Sequence, residues 1–156
     1  MNERYIRQTM IPEIGEAGQE KLKNAKVLIV GIGGLGSPIS LYLTAAGVGQ
    51  IGLIDDDIVS SSNLQRQILY TEAEIGQSKV ECACRRLSAL NSSTRFETYP
   101  NRFTSDNADR LVSTYDIIVD GCDNAATRYL IDDVCSCFKK PYVYGAISEF
   151  RGQVSV

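Results

Sequence analysis

The sequence predicts a doubly wound α/β fold built on a mostly parallel sheet. Short apolar runs alternate along the chain with segments of helical periodicity, which is typical of strands joined by helical crossovers. The segments at residues 26–30 and 116–120 have wholly aliphatic centres, at 27–30 and 117–119, as expected for strands buried on both faces of a parallel sheet. A glycine-rich turn follows the first run and precedes a helical segment, an order typical of a Rossmann-like domain.

The remaining elements are predicted from periodicity and from turn and capping signals. Ser78 and Glu81 have the spacing of a capping box, which predicts that a helix begins there. The other predicted elements are a helix from about residue 37 to 47, strands at 50–55 and 95–99, helices at 106–113 and 124–138, and extended segments at 142–146 and 152–156. Because the last residues read as a strand with no polar tail, we expect this chain to be part of a longer protein.

Composition excludes several classes of function. The 156 residues are 44% hydrophobic and 22% charged, as in an ordinary globular domain. The net charge of −3 gives no basic field for nucleic acid or a membrane surface, so neither is an expected partner. No apolar run is long enough to span a bilayer and no signal-peptide pattern opens the chain, so a cytoplasmic location is expected.

Histidine is absent, and cysteine is present in a pattern that does not suggest a metal site. The lack of histidine excludes a histidine general base, a Ser-His-Asp triad and a histidine-containing zinc site within these residues. The five cysteines include two pairs separated by a single residue, Cys82/Cys84 and Cys135/Cys137. Side chains two positions apart on a helix diverge, so we interpret these cysteines as buried or half-buried thiols.

The glycine turn and the acid after the second strand predict a nucleotide site. Gly31, Gly33, Gly34 and Gly36 lie between a strand and a helix, where backbone N–H groups can bind phosphate; a turn without a ligand is the alternative. Asp55 follows 19 residues after Gly36, the position at which an acid accepts hydrogen bonds from ribose. These features suit NAD and ATP equally well.

A second acidic loop at the same sheet edge predicts a metal. Asp123 lies between the strand at 116–120 and the following helix, where it could hold Mg²⁺ against phosphate oxygens or cap the helix. We favour the metal, because magnesium needs few protein ligands when phosphates and water complete its octahedron. Asp57 could support local structure or attract a metal, and Asp56 is interpreted as a solvated turn residue.

Two cations favour ATP over NAD. Arg66 and Lys79 follow the ribose acid, and Lys79 lies in the first turn of a predicted helix, where a cation opposes the helix dipole unless an anion is nearby. A triphosphate with a departing pyrophosphate benefits from such cationic groups, whereas the pyrophosphate of a dinucleotide can be held by the glycine turn alone. The alternative for each cation taken separately is a solvated surface residue.

These residues together resemble the ThiF/MoeB/HesA family, bacterial relatives of the ubiquitin-activating enzymes. The resemblance covers essentially the whole chain and rests on the segments 4–8, 31–37, 55–57, 63–67, Lys79, 120–124 and 127–128. It implies an enzyme that binds MgATP and adenylates the C-terminal glycine of a ubiquitin-like sulfur carrier ending in Gly-Gly, releasing pyrophosphate. Such a carrier can serve thiamine or molybdenum-cofactor biosynthesis, and the stretch at 63–70 leans slightly to the thiamine branch.

The resemblance also assigns roles to individual residues. It places Gly34 against the phosphates and Asp55 on the ribose, and it implies nucleotide or metal contacts for Ser62, Asn63, Gln65, Arg66, Lys79, Asp123 and Asn124. Arg7 resembles an arginine finger that enters the active site of a second subunit. The resemblance thus implies a homodimer in which residues 1–25 form a helical arm and residues 26–156 an ATP-binding domain. Structural Zn²⁺ is expected only in a C-terminal region that this chain lacks.

Other readings stay open at the level of sequence. An NAD-dependent oxidoreductase explains the glycine turn and Asp55, but it gives no joint purpose to Arg7, Arg66, Lys79 and Asp123. A non-catalytic nucleotide-binding or dimerisation module would bind ATP and release no pyrophosphate. Within the family, the acceptor could instead be a peptide carboxylate or a carboxylate on a tRNA base. Cys122, which adjoins Asp123, is interpreted as a packed thiol and not as a nucleophile.

Overall fold

A computed structural model describes residues 3–156 and confirms the doubly wound α/β fold. One sheet runs through the molecule in the strand order β3-β2-β1-β4-β5-β6. The strands are β1 (Lys26–Val30), β2 (Gln50–Ile54), β3 (Arg95–Tyr99), β4 (Ile117–Asp120), β5 (Tyr142–Ser148) and β6 (Arg151–Ser155). The first five are parallel, and β6 pairs with β5 in the antiparallel direction. The order reverses between β1 and β4, which is where such sheets bind ligands.

Helices cover both faces of the sheet. These are α3 (Gly36–Ala46), α4 (Lys79–Leu90), α5 (Ser105–Thr114) and α6 (Ala125–Phe138), and two further helices, α1 (Ile6–Thr9) and α2 (Gly15–Asn24), precede β1. Val27 and Ile29 of β1 pack in one apolar cluster with α3 and α4, whereas Leu28 and Val30 pack in a second cluster with α5 and α6. Alternate residues of β1 thus point to opposite faces, and both faces are buried, which is why the strand is continuously apolar.

The N-terminal segment packs at the edge of the sheet where β2 begins. A short 3-10 helix (Glu3–Tyr5), α1 and α2 precede β1. The Tyr5 hydroxyl accepts a 2.8 Å hydrogen bond from the Asn91 side chain, and the Gln8 and Gln19 amides donate to the Ala46 carbonyl at 3.1 and 3.0 Å. The division into an arm of residues 1–25 and a domain of residues 26–156, and the contribution of the arm to a dimer, stay predictions.

The predicted capping box at Ser78 is wrong. The Ser78 side chain makes no capping hydrogen bond, because the loop after β2 occupies this position. Ile58 forms a bridge with Ser78, and the Asp57 carbonyl accepts the Lys79 N–H at 3.1 Å. The start of α4 is therefore bound to a distant loop and not capped locally.

The five cysteines differ in burial. All five cysteines are free, and Cys82, Cys122 and Cys135 are buried as expected. The expectation of burial is wrong for Cys137, which is exposed because it lies on the solvent side of α6, away from Cys135.

Within residues 3–156, no helix combines the length and apolar character needed to cross a bilayer.

Candidate active site

A cavity opens at the carboxyl edge of the sheet. Its volume is about 760 Å³, within the range of roughly 300–1,000 Å³ typical of small-molecule sites. Its polar and glycine lining comes from the loops after β1 to β4, the segment around residue 66, the starts of α4 and α6, and the end of β5. These residues are Gly31, Gly33, Gly34, Asp55, Asp56, Asp57, Asn63, Arg66, Gln67, Lys79, Arg102, Gly121, Asp123, Asn124, Thr127, Arg128 and Ser148.

The four glycines of the first loop have different physical roles. Gly31 has φ of 86°, and a β-carbon there would come within 2.8 Å of the Gly121 carbonyl oxygen. A β-carbon on Gly36, the first residue of α3, would overlap the Gly31 carbonyl oxygen. Gly33 and Gly34 line the cavity, as Gly31 does, but they have room for a β-carbon. Gly31 and Gly36 are therefore required by close backbone packing, and Gly33 and Gly34 present the backbone to the cavity.

Asp55 holds the glycine loop and stays available to a ligand. One carboxylate oxygen accepts the Ile32 N–H at 2.7 Å and the other accepts the Asp57 N–H at 2.8 Å. Burial raises the pKa of Asp55, although these two hydrogen bonds and Lys79 act in the opposite direction. Each carboxylate oxygen can accept more than one hydrogen bond, so Asp55 can bind a ribose hydroxyl without releasing the loop.

Lys79 is a buried cation at the cavity wall. Lys79 is 3% exposed, and its ammonium lies 2.8 Å from the Asp57 carboxylate. A cation in the first turn of α4 was expected to need a nearby anion, and Asp57 supplies part of that negative charge. An ammonium has three donors, so this ion pair leaves donors for a second anion.

The segment that contains Arg66 brings only some of its predicted residues to the cavity. Asn63 and Arg66 line the cavity, whereas Ser62 and Gln65 are exposed and do not line it. The Ser62 hydroxyl instead lies 2.8 Å from that of Ser60. Their nucleotide contacts stay predictions.

Gln67 is a cavity residue that the sequence did not single out. It is 3% exposed, and its side-chain Oε1 has no hydrogen-bond partner within residues 3–156. A buried amide oxygen without a partner is uncommon and is often found where a ligand or water binds. The only sequence signal was its place in the same motif as Arg66.

The loop after β4 presents Asp123 to the cavity. Asn124, not Asp123, caps α6, since its side-chain oxygen accepts the Thr127 N–H at 2.9 Å. The capping role considered for Asp123 is therefore excluded. Among the described residues the Asp123 carboxylate has no hydrogen bond or ion pair, and it is exposed at the cavity, where it is free to take a cation.

The three consecutive acids after β2 are close together but already engaged. Carboxylate oxygens of Asp55, Asp56 and Asp57 lie within 4.8 Å of one another. Asp56 is exposed in the loop, as expected for a solvated turn residue, and it also forms a surface ion pair with Arg102 at 3.2 Å. Because Asp57 pairs with Lys79 and Asp55 accepts two N–H groups, Asp123 is the better candidate ligand for a metal.

Cys122 and Arg7 do not act in the cavity of this chain as nucleophile or cation. Burial raises the pKa of the Cys122 thiol to about 12, with Asp120 contributing, so the thiolate is scarce at neutral pH and the interpretation as a packed thiol is supported. Arg7 is exposed on α1 and lies outside the cavity lining. An active-site role for Arg7 thus requires a second subunit and stays a prediction.

Comparison with known proteins places these features in a family. Residues 5–156 match the ThiF family. A sulfur carrier protein adenylyltransferase from Thermus thermophilus is 50% identical over 154 residues, covering 99% of this chain and 57% of the relative. A probable adenylyltransferase/sulfurtransferase, MoeZ, from Mycobacterium tuberculosis is 49% identical over 153 residues, covering 98% of this chain and 39% of the relative. The chain thus spans about half the length of such relatives, or less.

Solved structures agree with the family match. E. coli MccB in complex with AMPCPP and MccA superposes with a TM-score of 0.84 and 31% identity, covering 93% of this chain and 44% of MccB. E. coli tRNA N6-threonylcarbamoyladenosine dehydratase, TcdA, in complex with AMP gives a TM-score of 0.81 and 29% identity, covering 86% of this chain and 55% of TcdA. Since the family match extends over almost every residue of the chain, this protein belongs to the ThiF family.

Proposed function

We propose that this chain provides the ATP-binding site of an adenylyltransferase that activates the C-terminal glycine carboxylate of a ubiquitin-like sulfur carrier. The observation that carries the proposal is the convergence of Asp55, Arg66, Lys79 and Asp123 on one cavity beside a glycine loop. Relatives about half identical to this chain are named adenylyltransferases, one of them for sulfur carriers. Two similar structures contain AMPCPP, an ATP analogue, and AMP.

The described residues fit ATP. Gly33 and Gly34 present backbone to the cavity, at the start of a helix whose first N–H groups favour phosphate. Lys79 and Arg66 supply positive charge against the triphosphate, and Asp55 is placed to accept a ribose hydroxyl. The unpartnered Gln67 amide oxygen is a further polar group that a ligand or a bound water can satisfy.

The described residues also fit Mg²⁺. Asp123 offers an unpaired carboxylate oxygen, the ligand type that magnesium prefers, and phosphates and water can complete the coordination. When bound with the nucleotide, Mg²⁺ supplies Lewis-acid stabilisation of phosphate charge.

The reaction requires no amino-acid base. The carrier carboxylate is already ionised at neutral pH, and its oxygen attacks the α-phosphorus of ATP. The bond from that phosphorus to the bridging oxygen of the β-phosphate breaks, and pyrophosphate leaves with the electron pair. Arg66 and Lys79 reduce repulsion between the two anions and stabilise the charge that grows on pyrophosphate. The absence of histidine is therefore compatible with the reaction.

The identity of the acceptor is the finer part of the proposal. A sulfur carrier is favoured over a peptide or a tRNA base, because the relatives near 50% identity are named for sulfur-carrier or sulfurtransferase chemistry, whereas MccB and TcdA are 31% and 29% identical. A relative from Porphyra purpurea named a probable molybdopterin-synthase adenylyltransferase is 47% identical, so molybdenum-cofactor biosynthesis stands beside thiamine biosynthesis as the proposed pathway.

The assembly is proposed to be a cytoplasmic homodimer. Arg7 lies outside the cavity of its own chain and is exposed, as a residue that enters a second subunit must be. If a longer form of this protein holds structural Zn²⁺, we propose that the zinc site lies C-terminal to residue 156.

The proposal is tested by ATP–pyrophosphate exchange with the full-length protein, with and without thiamine-type and molybdopterin-type carriers ending in Gly-Gly. We expect exchange that requires one of the carriers and is lost in Arg66→Ala and Asp123→Ala. Arg110→Ala is the control, since Arg110 contacts the Tyr99 ring outside the cavity and should leave exchange unchanged.

The alternatives predict different results in the same assays. A binding module binds ATP and gives no exchange with either carrier. An NAD-dependent oxidoreductase binds NADH in preference to ATP, as direct titration would show. Exchange supported by a peptide or a tRNA but by neither carrier would retain adenylation and overturn the proposed acceptor.

A further inference from the structure

The guanidinium of Arg128 ties together the loop that carries Asp123 and the neighbouring strand. Arg128 lies in the first turn of α6 and reaches the cavity wall. It donates hydrogen bonds to the carbonyl of Cys122 at 2.7 Å and to the carbonyl of Gly145, in β5, at 3.2 Å. Its charged plane also lies 5.2 Å from the centroid of the Tyr144 ring, a favourable cation–π distance.

The charge of Arg128 is balanced by Asp120 at the end of β4. Asp120 is fully buried, and its Oδ2 lies 3.3 Å from the Arg128 Nε, a pairing of charges without a hydrogen bond at that nitrogen. The same oxygen accepts the Tyr142 hydroxyl at 3.1 Å, and Oδ1 accepts the Cys122 N–H at 2.8 Å. A cation in the first turn of a helix opposes the dipole, so the buried Asp120 accounts for its presence there.

Cys122 is therefore held on both sides of its backbone. Asp120 accepts its N–H and Arg128 donates to its carbonyl, and that carbonyl belongs to the peptide bond that joins Cys122 to Asp123. Asp123 has no side-chain partner among residues 3–156. The backbone that Arg128 and Asp120 hold therefore sets the position of the Asp123 β-carbon, and with it the region of the cavity that the carboxylate can reach.

We infer that Arg128 is a positioning residue that orients Asp123 for the metal–nucleotide complex. It acts through the Cys122–Asp123 peptide and not by contact with the metal. This inference rests on the proposed ATP site and adds a residue to it. Partners that orient a metal ligand typically change metal affinity by about 10–100-fold when they are removed.

The test compares ATP affinity in Mg²⁺ and in EDTA, measured by calorimetry on the full chain. In the wild type, Mg²⁺ is expected to tighten ATP binding. We expect Arg128→Ala to reduce that enhancement by about 10-fold or more, while affinity in EDTA changes by less than about 3-fold. Arg110→Ala is the matched control and should keep the full enhancement.

A double variant separates positioning from general structural damage. If Arg128 acts through Asp123, then Arg128→Ala should reduce the enhancement little further in an Asp123→Asn background. Effects that multiply in the double variant, or an equal loss of affinity in Mg²⁺ and in EDTA, would overturn the inference.

Arg128→Lys keeps the test informative if Arg128→Ala does not fold. In Arg128 one nitrogen, Nη2, donates to both the Cys122 and Gly145 carbonyls, while another, Nε, faces Asp120. Lysine retains the positive charge, but its single ammonium cannot occupy both of these places at once. We expect the lysine variant to fold and still lose the Mg²⁺ enhancement, and full recovery would contradict the inference. A wild-type protein that binds no ATP would overturn both proposals, whereas ATP binding without carrier-dependent exchange would overturn only the adenylation.

Discussion

The Tyr70 hydroxyl donates a 2.8 Å hydrogen bond to the carbonyl of Ile32, in the middle of the glycine loop. The N–H of the same residue donates to Asp55 at 2.7 Å. Both backbone polar groups of Ile32 are thus bound by side chains from distant parts of the chain. The loop is held in the conformation that presents Gly33 and Gly34 to the cavity before any ligand arrives, which reduces the conformational cost of binding.

Replacing Tyr70 by phenylalanine should destabilise the protein and weaken ATP binding. Ile32 is fully buried, so loss of the donor leaves its carbonyl unsatisfied, at a cost of about 1–3 kcal/mol. Urea denaturation and ATP titration measure the two effects. Tyr129→Phe is the control, because Tyr129 is 73% exposed. An unchanged urea midpoint in Tyr70→Phe would show that the hydrogen bond contributes nothing to the loop.

Asp57→Asn should destabilise the nucleotide-free protein more than the ATP-bound protein. The substitution removes the negative charge that faces the buried ammonium of Lys79. Breaking a fully buried pair costs about 3–5 kcal/mol, but Asp57 is two-thirds exposed at its side chain, so about 1–2 kcal/mol is expected here. Thermal unfolding with and without ATP measures the difference. If Lys79 meets the triphosphate, ATP should recover most of the lost stability, and equal losses in both states would contradict that contact.

Asp56→Asn provides the comparison for this result. Asp56 and its partner Arg102 are both substantially exposed, so their ion pair should contribute less than about 1 kcal/mol to the free energy of unfolding. A loss as large as that of Asp57→Asn would mean that the loop after β2, and not the Lys79 pair, determines the effect.

Cys122 should resist alkylation at a pH where Cys137 reacts. With a pKa of about 12, raised by burial and then by Asp120, the Cys122 thiol is about one part in ten thousand thiolate at pH 8. Cys137 is exposed. Iodoacetamide labelling followed by peptide mapping should modify Cys137 first, and the rate at Cys122 should rise about tenfold per pH unit while the fold persists. Rapid labelling of Cys122 at pH 8 would contradict its assignment as a packed thiol.

Alanine substitutions at Gly36 and Gly33 should separate folding from binding. In a helix, alanine is ordinarily about 1 kcal/mol better than glycine, but a β-carbon on Gly36 would overlap the Gly31 carbonyl oxygen. The steric clash should dominate, so we expect Gly36→Ala to lower the free energy of unfolding by about 2 kcal/mol or more. At Gly33 the nearest atom to a β-carbon is the Gln67 amide nitrogen, 3.5 Å away.

The Gly33→Ala variant should therefore fold nearly as well as the wild type and bind ATP more weakly, because its methyl group projects towards the cavity. Urea denaturation and ATP titration on both variants give the comparison. Weakened folding in Gly33→Ala with unchanged ATP affinity would reverse the assigned roles of the two glycines.

The sequence alone determined the sheet and the position of its ligand edge. Short aliphatic runs such as residues 26–30, rich in β-branched residues and followed by a glycine turn and a helix, favour buried parallel strands because they are too short for buried helices. The order of these runs then placed the loops that contain Asp55 and Asp123 on one edge of the sheet. These are local or topological properties, and they follow from short stretches of residues.

Only the tertiary structure decided which side chains meet at that edge. The capping box at Ser78 failed because a bridge to Ile58 replaced the local cap. The ion pair of Lys79 with Asp57 and that of Arg128 with Asp120 join residues 22 and 8 positions apart, on separate elements whose relative placement depends on packing. Gln67 reached the cavity while Gln65 did not, since one turn of backbone sets the direction of each side chain. Pairwise contacts of this kind depend on three-dimensional geometry, which neither periodicity nor a motif specifies.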